Sequence, residues 1–372
     1  MCPSWPGTRS FNSPSSQVGA RLAGRQLSIE VLMGSMPDPG PVRLRDVAIA
    51  AGVSRSTASR VLSGSGASDA AVAAVLAATK QLGYRPDPVA RAMRTRSTSI
   101  AGIVVPAIGN PFFAELIEAL EKALRFYKLD VILGDSGGSV ADEADRIGTM
   151  VDRKIDGLIV IPTHHHASIP ALRAAARSVP VVQVDRHIDT PLGDYVGLDN
   201  AAGVHAALDH LIDEGCRRVV FVSGTGSTAG QARLQAFQAG VRRLPGLKAQ
   251  RPLLGSFTLD FGRQAVELIM QQKQLPDAIV CGADIIALGV LRALRLHKVE
   301  VPRQVKVTGF DGILFAELCD PPLTTLRQPV PVIAAEVARL LNARLHGDSS
   351  PPRRSEVAPL LIVRQSSSEN AD

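Results

Sequence analysis

From Ile100 onward the chain alternates short runs of β-branched and aliphatic residues with longer Ala-, Leu- and Glu-rich stretches, and this alternation leaves few folds open to it. The runs Ile100–Val105, Asp130–Leu133, Gly157–Ile161, Val181–Val184, Arg218–Val222, Ala278–Cys281 and Val305–Thr308 have the length and composition of buried strands. Segments between them, such as Phe112–Phe126, Ala201–Glu214, Gly230–Leu244 and Ile285–His297, read as helices. Strands separated by helices pair in parallel, because each crossover helix returns the chain along the face of the sheet. The run of strands is long enough for two such sheets, and ligands in this architecture bind beyond the carboxyl ends of the strands.

The segment before this alternation has a different period. Leu44, Val47, Ala48 and Ala51 form a helical stripe, which Gly52 stops in the manner of a C-terminal glycine. Ser54 can cap a second helix running to about Leu62, and a third extends from Ser68-Asp69 to Leu82-Gly83-Tyr84. Pro86 and Pro88 follow, then a short basic stretch. The small residues of the Ala51-Gly52-Val53-Ser54 turn allow a close corner, with Val47, Val53, Ala58 and Val61 inside it. Arg55, Ser56, Ser59 and Arg60 then face outward. A helix with Arg at its amino end suits the DNA major groove, where guanidinium pairs with guanine edges or phosphates. Charge agrees: nine bases against three acids lie between Val42 and Ser97, an excess equal to the whole chain's +6, so the remainder is neutral.

Residues 1–41 are rich in Ser, Pro and Gly and read as disordered, with Met33 and Met36 as alternative starts. They lack the apolar segment of a secretory signal, and no uncharged apolar run reaches membrane-spanning length, so a cytoplasmic location is expected. Cys2, Cys216, Cys281 and Cys319 have no pairing pattern and read as small apolar residues.

The string from Asp46 to Leu62 (Asp46, Val47, Ala48, Ala51, Gly52, Val53, Ser54, Thr57, Ser59, Arg60, Val61, Leu62) resembles the headpiece signature of the LacI/GalR regulator family. The likeness continues through LGYRPDPVARAMRTRSTSIAGIVVP, DGLIVIP, VPVVQVDR, VGLDNAAG, VTGFDG, PPLTTLRQP and LIVRQSS, covering about Val42 to Ser368. Ala58 departs from the usual Val and should loosen packing slightly. The resemblance implies an all-α helix-turn-helix headpiece (42–86), a hinge (87–98) and an α/β core (99–368) of two parallel-sheet lobes, like periplasmic sugar-binding proteins, before a tail (369–372). Lobe one is expected at about 99–197 and 328–357, and lobe two at about 198–327 and 358–368. The implied function is a dimeric, operator-binding transcriptional regulator switched by a small metabolite, a sugar or sugar acid. Repressor and activator, inducer and co-repressor stay open. The short C-terminal remainder argues against a tetramer built on a helical tail.

By the same resemblance, Arg43, Ser54, Arg55, Ser56, Thr57, Ser59 and Arg60 would meet an inverted-repeat operator. In the hinge, Met93 would wedge into the minor groove, Val89 and Ala90 would pack on the partner hinge, and Arg94, with Arg91 and Arg96, would meet phosphates. Asp87 replaces the usual Asn. The implied effector residues are Phe112 and Phe113 of the Asn110-Pro111-Phe112-Phe113 turn, Asp185, Arg186, Arg233, Asp284 and Asp311. Ala236, Ala283 and Gly312 stand where the family usually has Gly, Asn and Asp, which bears on the effector's identity.

Other signals carry less. Gly224–Ala229 fits a dinucleotide-binding pattern, but no acidic residue follows between Val241 and Ser256, so no cofactor is expected. His164-His165-His166 follows a strand without further ligands at fixed spacing, and reads as a solvated or ligand-edge loop rather than a metal site. No catalytic constellation can be assembled, so an enzyme is not expected. A transport-type sugar-binding protein is the remaining alternative, disfavoured by the headpiece.

Overall fold

The computed structural model describes residues 42–85, 92, 97–369 and 371, and the chain divides into two compact units between Pro86 and Asp87. The expectations for 1–41, and for Asp87, Val89, Ala90, Arg91, Met93, Arg94 and Arg96 of the hinge, lie outside the described residues.

Among the described residues, the first unit has three helices: α1 (Leu44–Ala50), α2 (Arg55–Leu62) and α3 (Asp69–Leu82). They close on Val47, Ala48, Ala58, Val75 and Ala78, with Leu44, Val53, Val61, Leu82 and Tyr84 around that centre. Small side chains dominate this core, so the helices approach closely. Gly52, at φ +64°, ends α1: its N–H donates to Ile49 O at 3.1 Å and that of Val53 to Ala48 O at 3.0 Å. This doubly bonded glycine stop turns the chain within two residues. Gly83 ends α3 in the same way, with Tyr84 N–H on Thr79 O at 3.0 Å.

The second unit holds two sheets. The first lobe is a six-stranded parallel sheet in the order β12-β5-β4-β3-β1-β2. Its strands are β1 (Ile100–Val105), β2 (Asp130–Asp135), β3 (Gly157–Val160), β4 (Val181–Val184), β5 (Asp194–Leu198) and β12 (Arg354–Val357). The second lobe runs β13-β11-β10-β9-β6-β7, with β8 also paired to β6. Its strands are β6 (Arg218–Gly224), β7 (Lys248–Ala249), β8 (Leu253–Gly255), β9 (Ala278–Cys281), β10 (Lys306–Asp311), β11 (Thr324–Arg327) and β13 (Leu360–Ile362). Only β13 is antiparallel. The chain passes between lobes after β5, after β11 and after β12. The central strands are buried on both faces, as parallel strands sandwiched by helices must be.

The crossover helices are α4 (Pro111–Phe126), α5 (Val140–Asp152) and α6 (Ile169–Ala175) in the first lobe, joined by α12 (Val330–Leu345). The second lobe has α7 (Asn200–Asp213), α8 (Thr228–Arg243), α9 (Leu259–Met270), α10 (Asp284–Leu296) and the short α11 (Phe315–Leu318). The two-lobed parallel architecture expected from the alternation is present, with corrections. Strands β5, β7, β8, β11 and β12 were not foreseen, and β10 extends three residues past Thr308. Among the described residues no helix is long and apolar enough to cross a membrane. Cys216, Cys281 and Cys319 are free thiols.

Candidate functional site

Two surfaces carry the sequence-derived candidates. In the first unit, Ser54 precedes α2 in extended backbone, and its hydroxyl accepts the Thr57 N–H at 3.0 Å. The same hydroxyl lies 2.7 Å from Ser56 Oγ and 2.9 Å from Thr57 Oγ1. The first turn of α2 thus presents a chain of hydroxyls at a helix amino end, an arrangement that favours phosphate oxygens. Arg55, Ser56 and Arg60 are exposed, Thr57 and Ser59 half-buried, and Ala58 fully buried on the opposite face. Arg43 is exposed at the start of α1, where its backbone N–H donates to Asp46 Oδ2 at 2.8 Å.

In the second unit, the carboxyl ends of strands from both lobes converge on a buried charged cluster. Asp185 and Arg186 follow β4, and Asp311 ends β10. Asn110 caps α4, accepting the Phe112 N–H at 3.2 Å, and so brings Phe112 and Phe113 to the same rim. Arg233 projects from α8 and is 3% exposed. Its Nε donates to Asn200 Oδ1 and its Nη1 to Gly282 O, both at 2.7 Å. It lies 3.6 Å from Asp311 and 3.9 Å from Asp185, with its Cζ 3.6 Å from the Phe310 ring centroid. Asp311 Oδ1 also accepts the Gln328 amide at 2.9 Å.

Arg186 is held less firmly. Its guanidinium lies between Phe113 and Phe257, 5.5 and 5.1 Å from their centroids. Its Nε is buried without a hydrogen-bond partner among the described residues, 3.5 Å from Asp185 Oδ2 in poor alignment. Burial lowers its hold on the proton, against the opposing pull of Asp185. Burial likewise pushes the Asp311 carboxyl up to about 8, against the pull of Arg233. Asp185 and Asp311 both occupy positive φ, +61° and +126°, backbone strain of the kind that accumulates at ligand clamps.

Asn110, Phe112, Phe113, Asp185, Arg186, Arg233, Phe257 and Asp311 enclose a cavity of only about 10 Å³. A ligand larger than a water needs the lobes to part or Arg186 to swing aside. A roomier groove of about 360 Å³ adjoins it between α7 and α8, with His187, Tyr195, His205, Gln235 and Arg354 on its walls.

One sequence candidate is corrected. Asp284, at the start of α10, does not line the cleft. It is fully buried and accepts from Gly312 N at 2.7 Å, Ile313 N at 2.9 Å and Thr325 Oγ1 at 2.6 Å. It fixes the loop that follows Asp311. Sequence reading missed Asn200, Phe257 and Gln328 as part of the cluster. Asn200 sits inside VGLDNAAG, and Gln328 inside PPLTTLRQP, so both motifs held the signal.

Comparison with known proteins agrees with the fold. Residues 43–87 match the family described as "Bacterial regulatory proteins, lacI family", and residues 208–367 match "Periplasmic binding protein-like domain". The HTH-type transcriptional regulator CelR of Thermobifida fusca is 32% identical over 335 residues, 87% of this chain and 97% of that protein. The ribose operon repressor of Halalkalibacterium halodurans is 29% identical, over 88% of this chain and 99% of that one. A lac repressor dimer bound to operator and the anti-inducer ONPF superposes with a TM-score of 0.79 over 88% of this chain and 99% of its own, at 22% identity. A CelR–cellobiose complex does so with 0.66 over 87% and 99%, at 31% identity. The chain belongs to the lacI family of bacterial regulatory proteins. It is a helix-turn-helix transcriptional regulator with a periplasmic-binding-protein-like core.

Proposed function

We propose that this chain is a cytoplasmic repressor that binds an inverted-repeat operator as a dimer and changes its DNA affinity when a small polar metabolite, a sugar or sugar acid, enters the interlobe cleft. The supporting observation is the buried cluster of Asp185, Arg186, Arg233 and Asp311 at strand ends of both lobes. Charged side chains are costly to bury. Here one guanidinium nitrogen is left without a partner, flanked by aromatic rings. Such a site suits hydroxyls and any acid group of a ligand, with Phe112, Phe113 and Phe257 against its apolar face. Relatives named for ribose, cellobiose and the lac operon favour the same class.

At the headpiece, Arg55 and Ser56 open the recognition helix, so they set half-site preference. Arg43, Ser54, Thr57, Ser59 and Arg60 would hold the backbone or flanking bases. Arg55 can donate two parallel hydrogen bonds to guanine, which discriminates by about 1–3 kcal/mol per base pair. Selection from randomised sites should return an inverted repeat with a guanine in each half. Arg55→Ala should flatten preference at one symmetric position without abolishing binding. An unchanged site preference in that variant would remove α2 from base readout. A genomic fragment pull-down, followed by a panel of sugars and sugar acids tested for release of the recovered DNA, identifies the effector.

A further inference from the structure

The β3–α6 loop carries His164, His165 and His166, and it does more than border the cleft. His165 Nδ1 lies 3.0 Å from Gly226 O, and the His165 backbone N–H donates to the same oxygen at 3.2 Å. Gly226 belongs to the β6–α8 loop of the second lobe, so this histidine is pinned across the lobe seam. With Nδ1–H donating to a carbonyl, Nε2 carries the lone pair. It points to Asp189, 4.0 Å from Oδ2, while His166 Nδ1 lies 3.1 Å from the same oxygen. All three ligand atoms lie within 4.8 Å of one another. His164 is used otherwise: its Nδ1 accepts the backbone N–H groups of His166 and Ala167 at 3.2 and 3.3 Å, and its ring stacks on His165 at 4.6 Å. Asp189 N–H in turn donates to His165 O at 3.2 Å, tying its loop to the histidine loop.

We propose that His165, His166 and Asp189 bind one late transition-metal dication, Zn²⁺ or a similar ion such as Ni²⁺, and that the bound ion stiffens the lobe seam. Two imidazoles and a carboxylate are a borderline donor set, suited to these ions and not to Mg²⁺ or Ca²⁺. Ligand bonds of about 2.0–2.2 Å put tetrahedral donors roughly 3.4 Å apart, so the 3.1 Å pair already fits, the 4.0 Å pair closes by about 0.6 Å and the third pair by at most about 1.4 Å. His166 and Asp189 are exposed and can make that movement, whereas His165 is oriented by its second nitrogen. A carbonyl holding the far nitrogen of a ligand histidine is the usual outer partner of such sites. The fourth coordination position opens to solvent. The ion would lock the loop that meets Gly226; a further seam contact is His187 N–H to Thr228 Oγ1 at 3.0 Å.

The test is calorimetric titration of ZnCl₂ into the full-length protein free of any affinity tag, beside His166→Ala, Asp189→Asn and, as a control at an unrelated surface histidine, His346→Ala. One ion per chain should bind wild type and the control. Affinity should fall at least about tenfold in the two ligand variants. Zinc should raise the melting temperature of wild type and leave the ligand variants unmoved, and Mg²⁺ should give no heat. No saturable binding below millimolar zinc, or wild-type affinity in both ligand variants, overturns the proposal and leaves the triad a plain imidazole–carboxylate pair.

Discussion

Asp284 opens α10 shortly after β9 and Asp311 ends β10, yet only Asp311 lines the interlobe cavity. The difference lies in side-chain direction: Asp284 turns back to the N–H groups of Gly312 and Ile313, and Asp311 turns to Arg233 and Gln328. A strand-end Asp read from sequence carries no such direction, so a family pattern could nominate both and could not separate them. The roles should part on mutation. Arg233→Ala removes the donor to Asn200 Oδ1 and Gly282 O and leaves Asp311 with Gln328 but no guanidinium beside it, at a cost of about 1–3 kcal/mol in effector binding, with operator affinity retained. An unchanged effector dose response would take Arg233 out of the site. Asp311 also predicts a pH dependence. Its folded-state pKa, near 8, exceeds the ordinary 3.8, so the folded chain holds a proton that the unfolded chain releases. Its contribution to stability is therefore complete below about pH 4 and is lost as pH rises through about 8. Calorimetry across that range should find Asp311→Asn losing less stability with rising pH than wild type. Parallel pH profiles would refute the assignment.

Elements were legible where period and burial agree. The headpiece helices and the central strands β1, β3, β4, β6 and β9 announce themselves by apolar runs. Strand β11, Thr-Thr-Leu-Arg, does not, because its burial is satisfied by hydroxyl pairing. Thr324 Oγ1 meets Ser367 Oγ at 2.6 Å and Arg364 O at 2.9 Å, and Thr324 N–H donates to Ser366 Oγ at 2.8 Å. These partners lie some forty residues away in sequence, beyond any local pattern. Strand β12 is half-exposed and charged, and is held by its pairing with β5. The headpiece turn offers a cleaner test of element chemistry. A Cβ added at Gly52 would meet nothing within 4 Å, so its need for glycine is conformational alone. Gly52→Ala should cost about 1–2 kcal/mol from the left-handed backbone, and Gly52→Asn less. The headpiece transition in scanning calorimetry of the full chain measures both. Equal stability of all three would mean the turn relaxes to another conformation.

At the scale of the whole molecule, the proposed dimer must use surfaces that the two-lobed fold leaves apolar. The second lobe exposes Leu314, Phe315 and Leu318 on and beside α11, at 67%, 50% and 68% of their surface. The first lobe exposes Phe126 at the end of α4, at 82%. Exposed apolar side chains of this size grouped on one short helix mark a contact surface more often than a solvated one. A two-fold dimer needs a self-complementary patch, since each residue meets the same surface of the other copy. Phe315→Glu or Leu318→Glu would set like charges against each other near such an axis and leave the cleft cluster untouched. Sedimentation should find wild type dimeric at micromolar concentration and these variants shifted toward monomer. Their operator affinity should collapse, because each headpiece reads one half-site, while calorimetric effector binding persists. Phe126→Glu discriminates which lobe dominates: if it alone dissociates the dimer, the contact runs through α4. If all three variants remain dimers with full operator affinity, neither apolar surface is the interface and the copies meet elsewhere on the core.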